Sequence, residues 1–500
     1  MRGVIQELRR TDIGELTEEL SEVTQRIGPD IIEVYNLETL GIFHREAQRR
    51  GTSLRMGRKG EALYYRPRQE HVARFHPRRH LPRAQVQGRE IIDFYIALYR
   101  LNKDMHWLEN TAPHHALSAV LPFFGISATL PPIEQLALLS PYIIESSYLL
   151  AQLAPARLQE VYRMGTAHLI DRMLIRNNLI QGYAVPKPSA PQAFRGGRTA
   201  LFTRGVYDSV WKLDVTAMYP SIIKAFDLWP RSDELHGYEP LLARVLEVRF
   251  WAKKKRDTFP EGSRDYNHYD AMQTHFKRLA NTFFGYLGSP LYHFNDPGQA
   301  AAVAAVGREL ITHIEHLLLE YHCRGELTLL ELDTDGIYFS CTSEASIEGL
   351  VQSVAEILPE GIDIKLEGPW KRGYFKEVKH YALLNVLPPR ETLTVKGVAL
   401  HGNQLERFLA TFIHRGLFIW LQGREGWTEN LKDFYQGLRR TLKERTITLE
   451  DIVVRKICRY NQEDYLEQVA VGRLNRQAHM ELMLKSQGAY TQGDVIAYYV

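Results

Sequence analysis

The apolar run Val210-Trp-Lys-Leu-Asp214, rich in β-branched and aromatic residues, predicts a strand ending in an acid, and Pro220 prevents its simple continuation as a central strand. A second run, Leu329-Leu-Glu-Leu-Asp333-Thr-Asp335, leads through Gly336 into Ile337-Tyr-Phe339. It predicts a hairpin with both acids at its tip, residues two apart pointing to the same face. Between the two runs the pattern turns helical. One helix is expected from Leu241 to Asp257 and another from Tyr269 to Gly285, joined by a turn at Pro260-Glu-Gly262. In the second of these, Gln273, Lys277, Asn281 and Phe284 share one face, which is polar and cationic where a packing face would be apolar. Asp296-Pro297 opens a further helix, with Val303, Val306, Leu310, Ile314, Leu317 and Tyr321 in one stripe and an end near Gly325; it is expected to back the sheet. From about Asn385 onward the pattern reads as mostly helical, with candidates from Leu405 to Trp420 and from Leu431 to Leu442.

Carboxylates at the ends of apolar strands repel one another unless a cation lies between them. Oxygen donors of this kind suit Mg²⁺, which commonly takes one or two protein carboxylates together with substrate phosphates. The chemistry suggested by Asp214, Asp333 and Asp335 is phosphoryl transfer.

Motif for motif, the chain resembles a family B DNA polymerase. The first palm motif, an Asp followed by a Tyr-Pro-Ser-Ile-Ile core, matches Asp214 and Tyr219 to Ile223. The fingers motif matches Lys277, Asn281, Phe284 and Gly285, with Phe in place of Tyr. The Asp-Thr-Asp-Ser motif matches Asp333 to Asp335, with Gly336 in place of Ser. Weaker likenesses keep the same order: Arg195-Gly196-Gly197 resembles the step that touches the template backbone, and Arg249 with Lys253 resembles the cationic face of the first fingers helix. Lys379-His-Tyr381 resembles the element that holds the primer end. Val395-Lys396-Gly397 resembles the start of the thumb connection, and Gly493-Asp494-Val-Ile-Ala-Tyr498 resembles a thumb segment.

The resemblance implies an α+β multidomain fold: a right-hand polymerase with an antiparallel-sheet palm, helical-hairpin fingers and a mostly helical thumb, preceded by a degenerate RNase H-like exonuclease remnant. The expected division is 1–185 for the remnant, 186–240 and 290–385 for the palm, 241–289 for the fingers and 386–500 for a short thumb. It implies two Mg²⁺ ions, with Mn²⁺ able to substitute, held by Asp214, Asp335 and the Val215 carbonyl, with Asp333 assisting. Tyr219 would gate against a ribose 2′ hydroxyl, and Arg249, Lys277 and Asn281 would bind the incoming deoxynucleoside triphosphate. Gly196, Gly197, Phe284, Gly285, Lys379 and Tyr381 would contact primer-template DNA. The interval from Ser221 to Lys277 leaves little room for the insertions of protein-primed members.

The first region resembles proofreading motifs that have lost their acids. Leu40-Gly41 stands where Phe-Asp follows Asn36, and Ser146 stands where an Asp follows Tyr142. The first motif would fall upstream of Met1. Glu38 and Glu145 are nearby acids best explained as a solvated helix face. The expectation is a DNA-directed DNA polymerase without proofreading, in repair or damage bypass and similar to an exonuclease-defective archaeal and bacterial branch. The alternative is a catalytically weak, DNA-binding scaffold subunit.

Composition adds limits. The 500 residues suffice for several domains, and a formal net charge of +3 does not by itself point to nucleic acid. From Arg45 to Arg89 basic residues far outnumber acids, which reads either as a solvated loop region or as a template contact. Cys323, Cys341 and Cys458 are too few for a disulfide framework or a zinc site. No apolar run is expected to span a bilayer and no signal-peptide core is seen, so a cytoplasmic, nucleoid-associated protein is expected, with no membrane partner and with accessory replication or repair proteins unidentified.

Overall fold

The computed structural model describes residues 12–67, 82–98, 120–387, 390–397, 400, 405–458, 460–486 and 495–498. The chain divides into two compact units, Met1–Gln192 with Trp229–Ala300, and Ala193–Leu228 with Ala301–Val500.

In the first unit, the helix Ile13–Ile27 is capped by the Asp12 carboxylate, which accepts from the Gly14 and Glu15 N–H groups, and it ends at Gly28 in the left-handed region. Strand β1 (Ile31–Val34) precedes the helix Leu37–Arg49; β2 (Tyr64–Arg66), β3 (Arg83–Gln85) and β4 (Glu90–Asp93) follow. Strands β1 and β4 pair in parallel, and β2 and β3 pair antiparallel. Leu37, Leu40, Leu54, Met56, Leu63, Tyr65 and Ile91 make one apolar cluster, and Ile92, Phe94, Phe124, Leu139, Tyr142 and Ile143 make another.

The helix Pro132–Leu153 corrects one expectation, because its 22 residues are long and apolar enough to cross a membrane by length and composition. Leu139, Tyr142, Ile143 and Leu150 on it are buried, whereas Ile133, Leu138 and Tyr148 are exposed, and the Glu145 carboxylate lies 3.0 Å from the His268 ring nitrogen. The described part of the basic stretch is also largely committed internally. Arg50 binds Glu46 and Asp12, Arg58 binds Asp30, and Arg89 donates to the carbonyls of Met56 and Pro29. Residues 68–81 of that stretch lie outside the described residues.

The two helices expected near Leu241 and Tyr269 form a hairpin, Tyr238–Arg256 and Arg264–Leu287, the second capped by Ser263 accepting from the Tyr266 N–H. Tyr238 donates its hydroxyl to the Phe283 carbonyl at 2.8 Å, and Arg256 pairs with Asp270 at 2.8 Å, so both ends of the hairpin are cross-braced. The Tyr286 hydroxyl donates to Asp171 at 2.7 Å on the helix Thr166–Ile180, docking the hairpin onto the N-terminal part of the unit.

The second unit is organised on a seven-stranded sheet. Strands β5 (Thr199–Leu201), β6 (Gly205–Val215), β7 (Thr328–Asp333), β8 (Gly336–Ser340), β9 (Ile364–Glu377), β10 (His380–Leu387) and β11 (Arg390–Lys396) lie in the order β11-β10-β9-β6-β8-β7-β5, every pair antiparallel. The expectation of a mostly helical stretch from about Asn385 onward is corrected over its first residues only. The sheet continues through β11, whose Arg-Glu-Thr-Leu-Thr-Val-Lys sequence alternates as a half-buried edge strand does. The expected helix after Asp296 runs Pro297–Cys323, with Val303, Leu310, Ile314 and Tyr321 buried. Beyond β11 the helices Arg407–Gln422 and Trp427–Lys443 follow, stacked through Phe412 and Phe434, and Trp420 packs edge-on against Tyr374 of β9. Strands β12 (Val454–Ile457) and β13 (Val495–Tyr498) pair over a small cluster of Cys458, Tyr465, Met480, Met483 and Ile496. Gly493 and Asp494 lie outside the described residues.

Candidate active site

Asp214 is the penultimate residue of the central strand β6, opposite Gly336 on one side and Lys365 on the other. The chain then leaves the sheet abruptly. Ala217 takes a left-handed conformation, φ 49°, and the helix Met218–Ala225 begins with Tyr219 and Pro220 in its first turn. Pro220 is tolerated there because a first-turn residue needs no intrahelical N–H bond.

Across from this turn, β7 and β8 form the predicted hairpin, with Thr334 and Asp335 as its two-residue tip and Thr334 at φ 35°. The Val215 N–H donates to the Asp335 carbonyl at 2.8 Å. That bond ties the end of β6 to the hairpin tip, so Asp214 and Asp335 are adjacent by backbone geometry before their side chains are considered.

One side chain joins them. Lys212, two residues before Asp214 on the same face of β6, forms an ion pair with the Asp214 carboxylate and lies 3.9 Å from that of Asp335. Burial alone would lower its pKa, but Asp214 and Asp335 outweigh that and hold it above the usual lysine value. Burial pushes the Asp335 carboxyl up, and the neighbouring Asp214 and Asp333 carboxylates add to this while Lys212 opposes it. Two carboxylates with a cation between them, and no sulfur or imidazole, form a donor set that fits a hard divalent ion. Among the described residues no three His, Cys, Asp or Glu side chains are grouped to hold a metal, so any such ion would take its remaining oxygens from backbone, water and substrate.

Asp333 is turned to a different partner. Lys379, at φ 62°, reaches the hairpin tip with its ammonium 3.0 Å from Asp333 and 3.2 Å from the Thr334 hydroxyl. Its backbone N–H donates to Glu331 at 2.6 Å. Tyr381, two residues on, is buried in the sheet core and shares a 2.9 Å hydroxyl contact with Tyr338; burial pushes its phenol up to about 12.

The Arg195-Gly196-Gly197 segment closes another side. Arg308, from the long helix Pro297–Cys323, donates to the carbonyls of Arg195 and Gly196, and Arg198 makes a bidentate pair with buried Glu315 of the same helix at 2.6 and 2.7 Å. A Cβ on Gly197 would come within 2.5 Å of the Thr334 methyl and 3.0 Å of the Tyr219 hydroxyl, whereas a Cβ on Gly196 would meet nothing within 4 Å. Gly197 thus brings this backbone against both the hairpin tip and the ring of Tyr219, and Gly307 of the long helix also faces that ring.

The other residues that the resemblance names lie in the first unit. Lys277, Asn281 and Gly285 lie on the exposed side of the helix Arg264–Leu287, with Phe284 half-buried beside them, while Phe276, Leu279, Ala280 and Phe283 face inward. Arg249 is largely buried on the helix Tyr238–Arg256, its guanidinium beside the Phe250 ring.

Of the N-terminal positions read as lost proofreading acids, Leu40-Gly41 is filled by packing, and the side chain of Ser146 lies outside the described ones. Gly41 is buried against the Tyr65 ring so closely that a Cβ would collide with it. Tyr142 packs on Phe124 and His268 and carries Arg264 over its ring at 4.8 Å, and Glu145 pairs with His268 at 3.0 Å. Glu38 is exposed in the first turn of a helix capped by Asn36.

Sequence reasoning passed over Lys212 and Glu331. The period of two along a strand was the available signal for both, since it places Lys212 with Asp214 and Glu331 with Asp333.

No protein-family model matches the chain. It is 23% identical to a DNA polymerase of Archaeoglobus fulgidus over 92% of this chain and 60% of that one, and 27% identical to a DNA polymerase of Thermococcus gorgonarius over 50% and 36%. A solved family B DNA polymerase from Pyrobaculum calidifontis superposes with a TM-score of 0.59 at 20% identity, over 97% of this chain and 66% of that one. The fold is that of a family B DNA polymerase. The chain spans 60% or less of the length of these two curated polymerase relatives. Within that span lie both the sheet that carries Asp214, Asp333 and Asp335 and the helical hairpin that carries Lys277.

Proposed function

We propose that the chain is a DNA-templated DNA polymerase that adds deoxynucleotides to a primer 3′ end, without proofreading, in repair or damage bypass. The observation that carries this reading is the 2.8 Å bond from the Val215 N–H to the Asp335 carbonyl, which sets two carboxylates side by side at the strand ends of an antiparallel sheet.

Asp214 and Asp335, with the Val215 carbonyl, would hold two Mg²⁺ or Mn²⁺ ions, which lower the pKa of a bound hydroxyl and neutralise developing charge on phosphate. Asp333 assists from the hairpin. Tyr219, fixed between Gly197 and Gly307, presents its ring beside the acids, where it would lie under the sugar of the incoming nucleotide and exclude a 2′ hydroxyl. Lys277, Asn281 and Arg249 supply donors for the triphosphate, and fixed cations stabilise the charge that builds on its oxygens. Gly196 offers open backbone for close approach of a template strand, Phe284 and Gly285 continue the exposed fingers face, and Lys379 with Tyr381 beneath it is assigned to the primer end. Primer-template DNA and deoxynucleoside triphosphates are the partners this requires.

The absence of proofreading is supported by Gly41, whose surroundings have no room for a carboxylate, and by Glu145, which is engaged by His268. The experiment is extension of a labelled primer on a DNA template with Mg²⁺ and four deoxynucleotides. Extension that persists undiminished in Asp335→Ala, or no extension by the unaltered protein, overturns the proposal.

A further inference from the structure

Lys212 and Gly336 depend on one another. The Lys212 side chain is only 12% exposed, and it crosses the β6–β8 pairing directly over Gly336, its ammonium also lying 5.5 Å from the centre of the Tyr338 ring. A Cβ at position 336 would collide with Lys212 Cε and would stand 2.8 Å from the Leu213 carbonyl and 3.0 Å from the Asp214 carboxylate. Only glycine leaves the side chain this path. Position 336 is also where the resembling motif carries Ser in place of Gly, so the substitution and the lysine belong to one local design.

We propose that Lys212, admitted by Gly336, is a built-in counter-cation of the Asp214 and Asp335 pair that must be moved aside before a divalent ion can bind there. The inference rests on the reading of these acids as metal ligands. A flexible four-carbon stem with a single charge can leave the carboxylates without unfolding the strand, whereas the pair cannot hold Lys212 and a divalent ion at the same oxygens without like-charge repulsion. The negative charge of the acid pair is thereby partly offset in the free protein. Divalent ions are taken up mainly in company with a triphosphate, whose own negative charge offers the displaced ammonium and the incoming ion a shared partner. Lys212 is a positioning residue in this scheme and touches no substrate in the free protein.

The test is direct Mn²⁺ binding by electron paramagnetic resonance, without nucleotide or DNA, on the unaltered chain, Lys212→Met, Gly336→Ser and Asp214→Asn. Lys212→Met is expected to bind Mn²⁺ at least tenfold more tightly than the unaltered chain, through a site that Asp214→Asn weakens. Gly336→Ser should move affinity the same way by pushing the lysine off its path. Adding a deoxynucleoside triphosphate should narrow the gap. Unchanged or weaker Mn²⁺ binding in Lys212→Met overturns the proposal, whatever the primer-extension result. Failure of the polymerase reading is seen separately, as no extension by the unaltered chain at saturating Mn²⁺.

Discussion

Glu331 offers a quantitative test of how the hairpin tip is held. It is fully buried on β7; one carboxylate oxygen accepts the Lys379 N–H at 2.6 Å, and the other has no hydrogen-bond partner among the described residues. Burial pushes its carboxyl from 4.5 up to about 7, the Lys379 N–H opposing this and Asp333 adding to it. The native state therefore binds this proton more tightly than the unfolded chain does. Its stabilising contribution is fully present below about 4.5 and is lost as pH rises through about 7. The gap corresponds to roughly 3 kcal/mol once the group is fully ionised. Glu331→Gln keeps an acceptor for Lys379 and removes the charge, and its amide N–H₂ group would lie where the second oxygen has no partner, a cost of about 1 kcal/mol. The variant should be about 2 kcal/mol more stable than the unaltered chain at pH 8 and nearly equal at pH 5. In thermal unfolding that is a rise of about 4–8 °C at pH 8 for a unit of this size. A lower Tm for the variant at pH 8, or the same difference at both pH values, refutes the assignment of a buried, charge-strained carboxylate beneath the tip.

Three further outcomes follow from the site. Asp214→Ala and Asp335→Ala should each reduce primer extension by at least about a thousandfold while duplex affinity, read by fluorescence anisotropy, stays within about twofold, because affinity comes mainly from phosphate contacts elsewhere; Asp333→Ala should be milder. Tyr219→Ala should lower the preference for a deoxynucleotide over the matching ribonucleotide by about tenfold or more in single-turnover incorporation, and an unchanged ratio would make Tyr219 a packing residue only. Gly41→Asp should destabilise the first unit by about 2 kcal/mol or more through collision with Tyr65, and should produce no shortening of a 3′-mismatched, end-labelled primer with Mg²⁺ or Mn²⁺. Shortening by that variant would show that the pocket had kept room for the acid.

The parts of the fold legible in the sequence were those governed by local pattern. Strand β6 and the β7–β8 hairpin follow from short β-branched runs and a turn. The hairpin of helices follows from two helical stretches separated by Pro260 and Gly262, although its observed bounds, Tyr238–Arg256 and Arg264–Leu287, reach further because Tyr238 and Leu287 are drawn into the core. Strand β11 was missed because its length equals two turns of helix and its polar residues alternate with only Leu393 and Val395. Pairing with β10 decides it, and no short window of sequence contains that pairing. The expectation that no apolar run reaches the length of a span is corrected at one helix, for a related reason. Pro132–Leu153 meets the length and apolarity of a span, and only the tertiary partners of Leu139, Tyr142 and Ile143 distinguish it from one.

At the site, the sequence identified acids and left unsaid what neutralises them. Repulsion among Asp214, Asp333 and Asp335 predicts a cation in general, and a metal was the reading it supported. The structure pairs two of the three with lysines of the chain itself, Lys212 with Asp214 and Lys379 with Asp333. Lys212 lies at a period of two from Asp214 on its strand, whereas Lys379 lies at a positive-φ turn 46 residues beyond its partner, where no local pattern points to it. This distribution has a physical consequence. An acid cluster with its own ammonium groups can fold and persist at neutral pH without any divalent ion, so stability of the sheet and occupancy of the metal positions are separable properties here. A chelator should accordingly leave the thermal unfolding of the chain unchanged while removing any extension activity.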